Sequence, residues 1–147
     1  MNNTGGAKVE VRLPSRMGFE KVAMSTASSM AKLMGFSDER VEDLKTAVAE
    51  ACINAIEHGN KFNELLSVGV ILSMAGDSLE VKVMDNGTGM ATRPAAPDID
   101  KKMLGDEDPR GMGMFLIEAL VDEVEWVPAA GDVDSYVRLV IRLDKEK

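Results

Sequence analysis

One cysteine, Cys52, and one histidine, His58, occur among the 147 residues. With a single thiol no intramolecular disulfide forms, which fits a reducing cytoplasm. Basic residues are outnumbered, 17 against 25 acidic, for a net charge of −8. That deficit argues against non-specific binding to nucleic acid or to an anionic membrane, and leaves open an anionic small molecule at a local site. No stretch approaches the roughly 18 consecutive apolar residues of a membrane span. Met1 to Gly6 is polar and carries no hydrophobic signal region. There is no internal repeat and no linker, so the expectation is one cytoplasmic domain over 7–147 behind a disordered 1–6.

What is present is a globular share of apolar residues, 45%, set in readable periods. Val9, Val11 and Leu13 alternate with Lys8, Glu10 and Arg12, which predicts a half-buried strand ended by Pro14-Ser15, where a helix starts. Phe19, Val22, Ala23, Ala27, Met30, Ala31 and Met34 keep helical spacing up to Gly35, a C-terminal stop. Ser37 reads as the N-cap of a second helix, with Asp38 and Glu39 at the positive end of its dipole and Val41, Leu44, Val48 and Ala51 on its apolar face. Leu66 to Met74 and Leu79 to Met84 are strands joined as a hairpin through Ala75-Gly76-Asp77-Ser78. Prolines 94, 97 and 109, with Asp98, Asp100, Asp106, Glu107 and Asp108, make about 90–110 the one long aperiodic stretch, the pattern of a lid. A third helix follows with Phe115, Leu116, Ala119 and Leu120 on its buried side, then strands Val124 to Val127 and Tyr136 to Leu143. This order predicts an α+β two-layer sandwich, with the helices on one face of a mixed, mainly antiparallel sheet.

Three features break the pattern. Glu50, Asn54 and His58 recur every four residues, a polar stripe on an otherwise apolar helix. Asp85 follows Leu79, Val81 and Val83 in the inward phase of a strand, where a core residue is expected, and Asn86-Gly87-Thr88-Gly89 comes next. Arg110-Gly111-Met112-Gly113-Met114 opens the third helix.

Around a nucleotide all three have a use. Gly111 and Gly113 leave backbone N–H groups open to phosphate oxygens at a helix N-terminus, and Arg110 adds a charge-assisted contact. The amide oxygen of Asn54 suits Mg²⁺, which takes one or two hard oxygen ligands from a protein and the rest from phosphate and water. Asp85 is an acceptor that takes the exocyclic amine of adenine and repels the carbonyl oxygen of guanine. Glu50, one turn before Asn54, is placed to accept a proton from an incoming hydroxyl. Taken singly, Asp85-Asn86-Gly87 is an ordinary turn and His58 a structural histidine at the negative end of a helix dipole. Joint occurrence, in order, on a helix, a strand end and a helix start favours the nucleotide site.

Glu50-x-x-x-Asn54, Asp85-x-Gly87-x-Gly89 and Gly111-x-Gly113 resemble the N, G1 and G2 boxes of the Bergerat-fold ATPases. More closely, the chain resembles the anti-sigma-factor serine/threonine kinases. The likeness also takes in Leu13-Pro14-Ser15, the helix around Phe19, the run from Glu42 to Gly59, and Arg110 to Trp126. It implies ATP and Mg²⁺ as cofactors, Glu50 as general base, Asn54 as metal ligand and Asp85 as adenine reader. Gly87, Gly89, Gly111 and Gly113 would frame the pocket, and Met112 and Met114 stand where the family's Gly-Leu-Gly-Leu has leucines. It further implies a homodimer, a STAS-domain anti-anti-sigma factor as phosphoacceptor, a sigma factor or other regulator as competing partner, and Lys21 on the first helix as a partner contact. Asp134-Ser135 replaces the family's Gly-Thr. The alternative reading is a nucleotide-gated partner-binding module without kinase activity. A histidine kinase is disfavoured, because the one histidine lies inside the proposed ATP helix.

Overall fold

The computed structural model describes residues 6–86, 109–132 and 134–143, with 109–112 described by backbone alone. Gly87, Gly89, most of the expected lid and Met1 to Gly5 lie outside the described residues.

The first strand, β1 (Lys8–Pro14), runs into a short turn, and helix α1 begins only at Glu20 and ends at Met34. Ser15 therefore does not open the helix as its sequence suggested. It sits in the corner instead, where its N–H donates to the Leu66 carbonyl over 3.3 Å. Gly35 stops α1 as expected, at φ 95°. Its N–H donates to Lys32 O while that of Phe36 donates to Ala31 O, the paired bonds of a Schellman end, and Phe36 and Ala31 are both buried over it. Helix α2 (Asp38–Asn54) starts two residues later, its Ser37 hydroxyl accepting from the Arg40 N–H. The last turn of this segment, Ala55–Gly59, widens into a π-helical turn.

Strands β2 (Ser67–Ala75) and β3 (Ser78–Asp85) form the expected hairpin, tightened to a two-residue turn in which Gly76 supplies φ 61°. Helix α3 (Pro109–Leu120) precedes β4 (Glu123–Val127) and β5 (Tyr136–Arg142). The five-stranded sheet has the order β1-β2-β3-β5-β4, and every pairing is antiparallel.

Register decides which side chains meet the helices. Val11, Val70, Val83 and Val137 lie abreast across four strands, and so do Leu13, Val68 and Asp85 across three. This face packs on Ala23, Ala27 and Ala31 of α1 and on Leu44, Val48, Ala51 and Cys52 of α2 in one core. Asp85 thus points to the helix side, at the edge of that core. Helix α3 presents Met114 and Ile117 inward, while Phe115, Leu116 and Ala119 are exposed, the reverse of the sequence expectation for those three. With Met114 and Ile117 inward, Gly113 faces Glu50 and Asn54 of α2. At its far end Arg40 of α2 donates to the Leu120 carbonyl over 3.0 Å and pairs with Asp122 over 3.1 Å, anchoring α3 against α2.

Candidate functional site

Helix α2 carries most of the site because its last turns leave the alanine-rich packing seam. Ala47, Val48, Ala51 and Ala55 are fully buried. Glu50, on the neighbouring side, is half-buried. Loss of hydration there, with repulsion from Glu57, raises the Glu50 carboxyl above the ordinary carboxylate range. Asn54 is only 3% exposed, and its Nδ2 finds no hydrogen-bond partner among the described residues. A buried amide left unpaired is costly, so this one marks a position where something else completes the bonding.

Gly113 is what meets both side chains. A Cβ built on it would lie 2.8 Å from Glu50 Oε1, 3.5 Å from Asn54 Nδ2 and 3.8 Å from Asn54 Oδ1. Gly113, the fifth residue of α3, is therefore what brings this helix close to the Glu50–Asn54 pair.

Asp85 forms the second group. It is fully buried, and the Ser135 hydroxyl donates to its Oδ2 over 3.3 Å. Its own N–H donates to the Ser135 carbonyl over 3.4 Å. Behind it stands Gly59, the last residue of the π turn, where a Cβ would lie 2.5 Å from the Asp85 Cγ. Only glycine fits. The π turn links the two groups, with Asn54 before it and Gly59 at its end; such widened turns recur at functional sites.

The structure thus brings Glu50 and Asn54 to Gly113, and sets Asp85 beside Gly59 and Ser135. His58 does not continue the stripe: its Nε2 lies 3.5 Å from Glu57 Oε1. The π turn breaks the four-residue repeat that aligned it with Asn54. Met114 is 2% exposed and packs in the core next to Gly113. Arg110, Gly111 and Met112 lie in the first turn of α3 by their backbone, and their side chains are outside the described residues. Lys21 is exposed on α1, away from these groups in sequence and burial alike. Asp134, in place of the family's glycine, accepts from Asn86 Nδ2 over 2.8 Å. Gly59 and Asn60 were read only as a helix end. The missed signal was an asparagine following a glycine where the chain must stay buried.

Among the described residues no cluster of three or more His, Cys, Asp or Glu side chains is arranged to hold a metal. No helix among them is long and apolar enough to cross a membrane.

Residues 14–141 match the family model described as the histidine kinase-like ATPase domain. The chain belongs to the histidine kinase-like ATPase family. It is 34% identical over 122 residues to the serine-protein kinase RsbW of Listeria innocua, a match covering 80% of this chain and 78% of that one. It is 35% identical over 124 residues to RsbW of Oceanobacillus iheyensis, covering 80% and 77%. Its fold is also that of a crystal structure of the RsbU and RsbW domains of Rv1364c from Mycobacterium tuberculosis, with a TM-score of 0.63 at 20% identity. That superposition takes in 93% of this chain and 32% of the longer one. Membership of this ATPase family makes ATP the implied nucleotide, and the sequence groups with the RsbW serine-protein kinases.

Proposed function

We propose that this chain is a cytoplasmic ATP-dependent serine/threonine protein kinase acting as an anti-sigma factor in partner switching. Its phosphoacceptor is a STAS-domain anti-anti-sigma factor, and a sigma factor or other regulator competes for the same protein, a homodimer. The observation that carries the proposal is the contact of Gly113 with both Glu50 and Asn54. It sets a carboxylate with a raised pKa at the mouth of a helix whose N-terminus suits phosphate.

In this reading Asp85 accepts a hydrogen bond from the adenine amine, with the Ser135 hydroxyl steadying its Oδ2. Gly87, Gly89, Gly111 and Gly113 form the backbone frame of the pocket, with the N–H groups at Gly111 and Gly113 and the charge of Arg110 serving the phosphates, while Met112 and Met114 hold the family's leucine positions and Met114 seats the helix from beneath. Asn54 Oδ1 would give Mg²⁺ one hard oxygen ligand, while its buried Nδ2, without a partner among the described residues, is a donor suited to a phosphate oxygen. When bound, the ion neutralises charge on the phosphate oxygens. Glu50 takes the proton of the incoming Ser or Thr hydroxyl as its oxygen bonds to the γ-phosphorus and the bond to the β,γ-bridging oxygen breaks, releasing ADP. Burial helps here, because a carboxylate poised nearer neutrality is the better base. Lys21, exposed on α1, is the proposed partner contact.

The test is transfer of labelled γ-phosphate from Mg·ATP to purified STAS-domain proteins, with Glu50→Ala and Asp85→Ala alongside. Label on a partner Ser or Thr, lost in both variants, supports the kinase and both roles. Tight ATP binding with no label on any candidate would instead favour a nucleotide-gated binding module.

A further inference from the structure

Asn60 belongs to none of the three boxes, yet both its amide nitrogen and its amide oxygen are engaged in hydrogen bonds. It is 2% exposed. Its Nδ2 donates to the Ser15 hydroxyl over 3.2 Å and to the Ser67 carbonyl over 3.0 Å, and its Oδ1 accepts from the Asn86 N–H over 2.9 Å. Three segments distant in sequence are thereby tied at one point: the corner between β1 and α1, the start of β2, and the residue directly after Asp85. The backbone shows how firmly the point is held. The Asn60 N–H closes the π turn on Ala55 O at 2.7 Å. Beyond it, Lys61 and Phe62 take φ of 53° and 61°, a region that side chains of this size enter only where surrounding structure holds them.

We infer that Asn60 is a positioning residue for base recognition: by holding the Asn86 N–H it fixes the end of β3 and so the direction in which the Asp85 carboxylate meets the base. The inference rests on the proposed reading of Asp85 as the adenine contact. Gly59 and Asn60 act as neighbours with separate tasks. Gly59 leaves the room that the carboxylate occupies, and Asn60 sets the backbone from which that carboxylate projects. Asp85 also pairs with Val68 of β2, and its N–H donates to Ser135 O over 3.4 Å, a longer bond than the 2.9 Å one at Asn86. The Asn86 side chain is held separately, its Oδ1 accepting from the Ser67 N–H and hydroxyl and its Nδ2 donating to Asp134, while Asn60 holds the Asn86 main chain. With that main-chain bond lost the Asp85 carboxylate tilts, and a tilted carboxylate no longer separates an amine donor from a carbonyl acceptor.

The experiment is calorimetric titration of the full chain with Mg·ADP and with Mg·GDP, on wild type, Asn60→Ala and Ser15→Ala, each checked for folding by circular dichroism. Ser15→Ala removes one donor contact of Asn60 but leaves the Asn86 bond in place. The expected result is a preference for ADP in wild type and in Ser15→Ala, and a preference reduced about tenfold in folded Asn60→Ala, the worth of one displaced hydrogen bond. Where Asn60→Ala does not fold, Asn60→Ser carries the same expectation, since it keeps a polar atom but withdraws the acceptor from Asn86. A folded Asn60 variant with the wild-type ratio, or one that loses both nucleotides equally, overturns the inference and leaves the adenine reading standing. A wild type that binds both nucleotides alike overturns that reading and the inference with it.

Discussion

Two polar regions of this molecule stand in contrast. On the open face of the sheet Arg138 pairs with Glu80, with Glu123 at 3.1 Å and with Glu125 at 3.6 Å, and Arg142 pairs with Glu123. Each of these four side chains, Glu80, Glu123, Arg138 and Arg142, has an opposite charge on a neighbouring strand. The shifts follow suit: hydrogen bonds from Arg142 and then Arg138 hold Glu123 below the usual carboxylate range, and the hydrogen bonds that Arg138 donates to Glu80 and Glu123 raise the Arg138 guanidinium. At the other region, Glu50 faces Gly113 and is pushed up by desolvation and by Glu57, while the buried Asn54 amide nitrogen has no partner among the described residues. The first arrangement is satisfied within the protein. The second is unfavourable as it stands, the usual condition of groups kept for a ligand or a reaction.

The largest effect is expected where that condition is removed. Glu50→Gln should lower phosphoryl transfer by roughly 10²- to 10⁴-fold, the range for losing a general base, while raising Tm at neutral pH. The sign follows from the raised pKa. A group of this kind favours the fold while protonated, below its unfolded value, and that contribution is lost as pH rises through the folded value. Thermal melts from acid to neutral pH should therefore show the gap between Glu50→Gln and wild type widening as pH rises. A variant no more stable than wild type at neutral pH would mean that Glu50 is not strained.

Next comes Gly59→Ala, whose Cβ would meet the Asp85 side chain at its root, 2.5 Å from Cγ and 2.8 Å from Cβ. Overpacking of this kind costs about 1–3 kcal/mol, and ADP binding should fall with it, both readable in melts with and without the nucleotide. Gly113→Ala separates the two quantities. The closest atom is the far end of the flexible Glu50 side chain, so Tm should change little while transfer activity drops about tenfold from displaced geometry. The smallest effect belongs to the paired region. Arg138→Met should cost about 1 kcal/mol or less and leave ADP affinity unchanged in titration. Loss of nucleotide binding in that variant would break the distinction between the regions. Glu123 has its own acid signature: its contribution is present above the ordinary carboxylate pKa and is lost as pH falls through the lowered folded value, the opposite course to Glu50.

Much of this was readable beforehand because it depends on neighbours in sequence. Gly35 and Ser37 end one helix and start the next through contacts within a few residues. Gly76 turns the hairpin, and alternation put Asp85 on the inner face. Phase on α3 was misjudged because Phe115 and Leu116 are apolar enough for a core, and hydrophobicity alone does not record that a glycine faces the neighbouring helix. His58 was misaligned because a π turn is set by how Gly59 and Asn60 meet β3, not by the repeat that precedes it.

The sequence by itself determined the elements, their order, the antiparallel hairpin and the residue types able to serve a nucleotide, since propensity, capping and period act over short spans. Only the tertiary structure decided that Gly113 meets Glu50 and Asn54, that Gly59 yields its space to Asp85, and that Asn60 joins three segments. Those contacts span up to 63 positions, and a chain read along its length holds no physical measure of which distant residues packing will bring within a few ångströms.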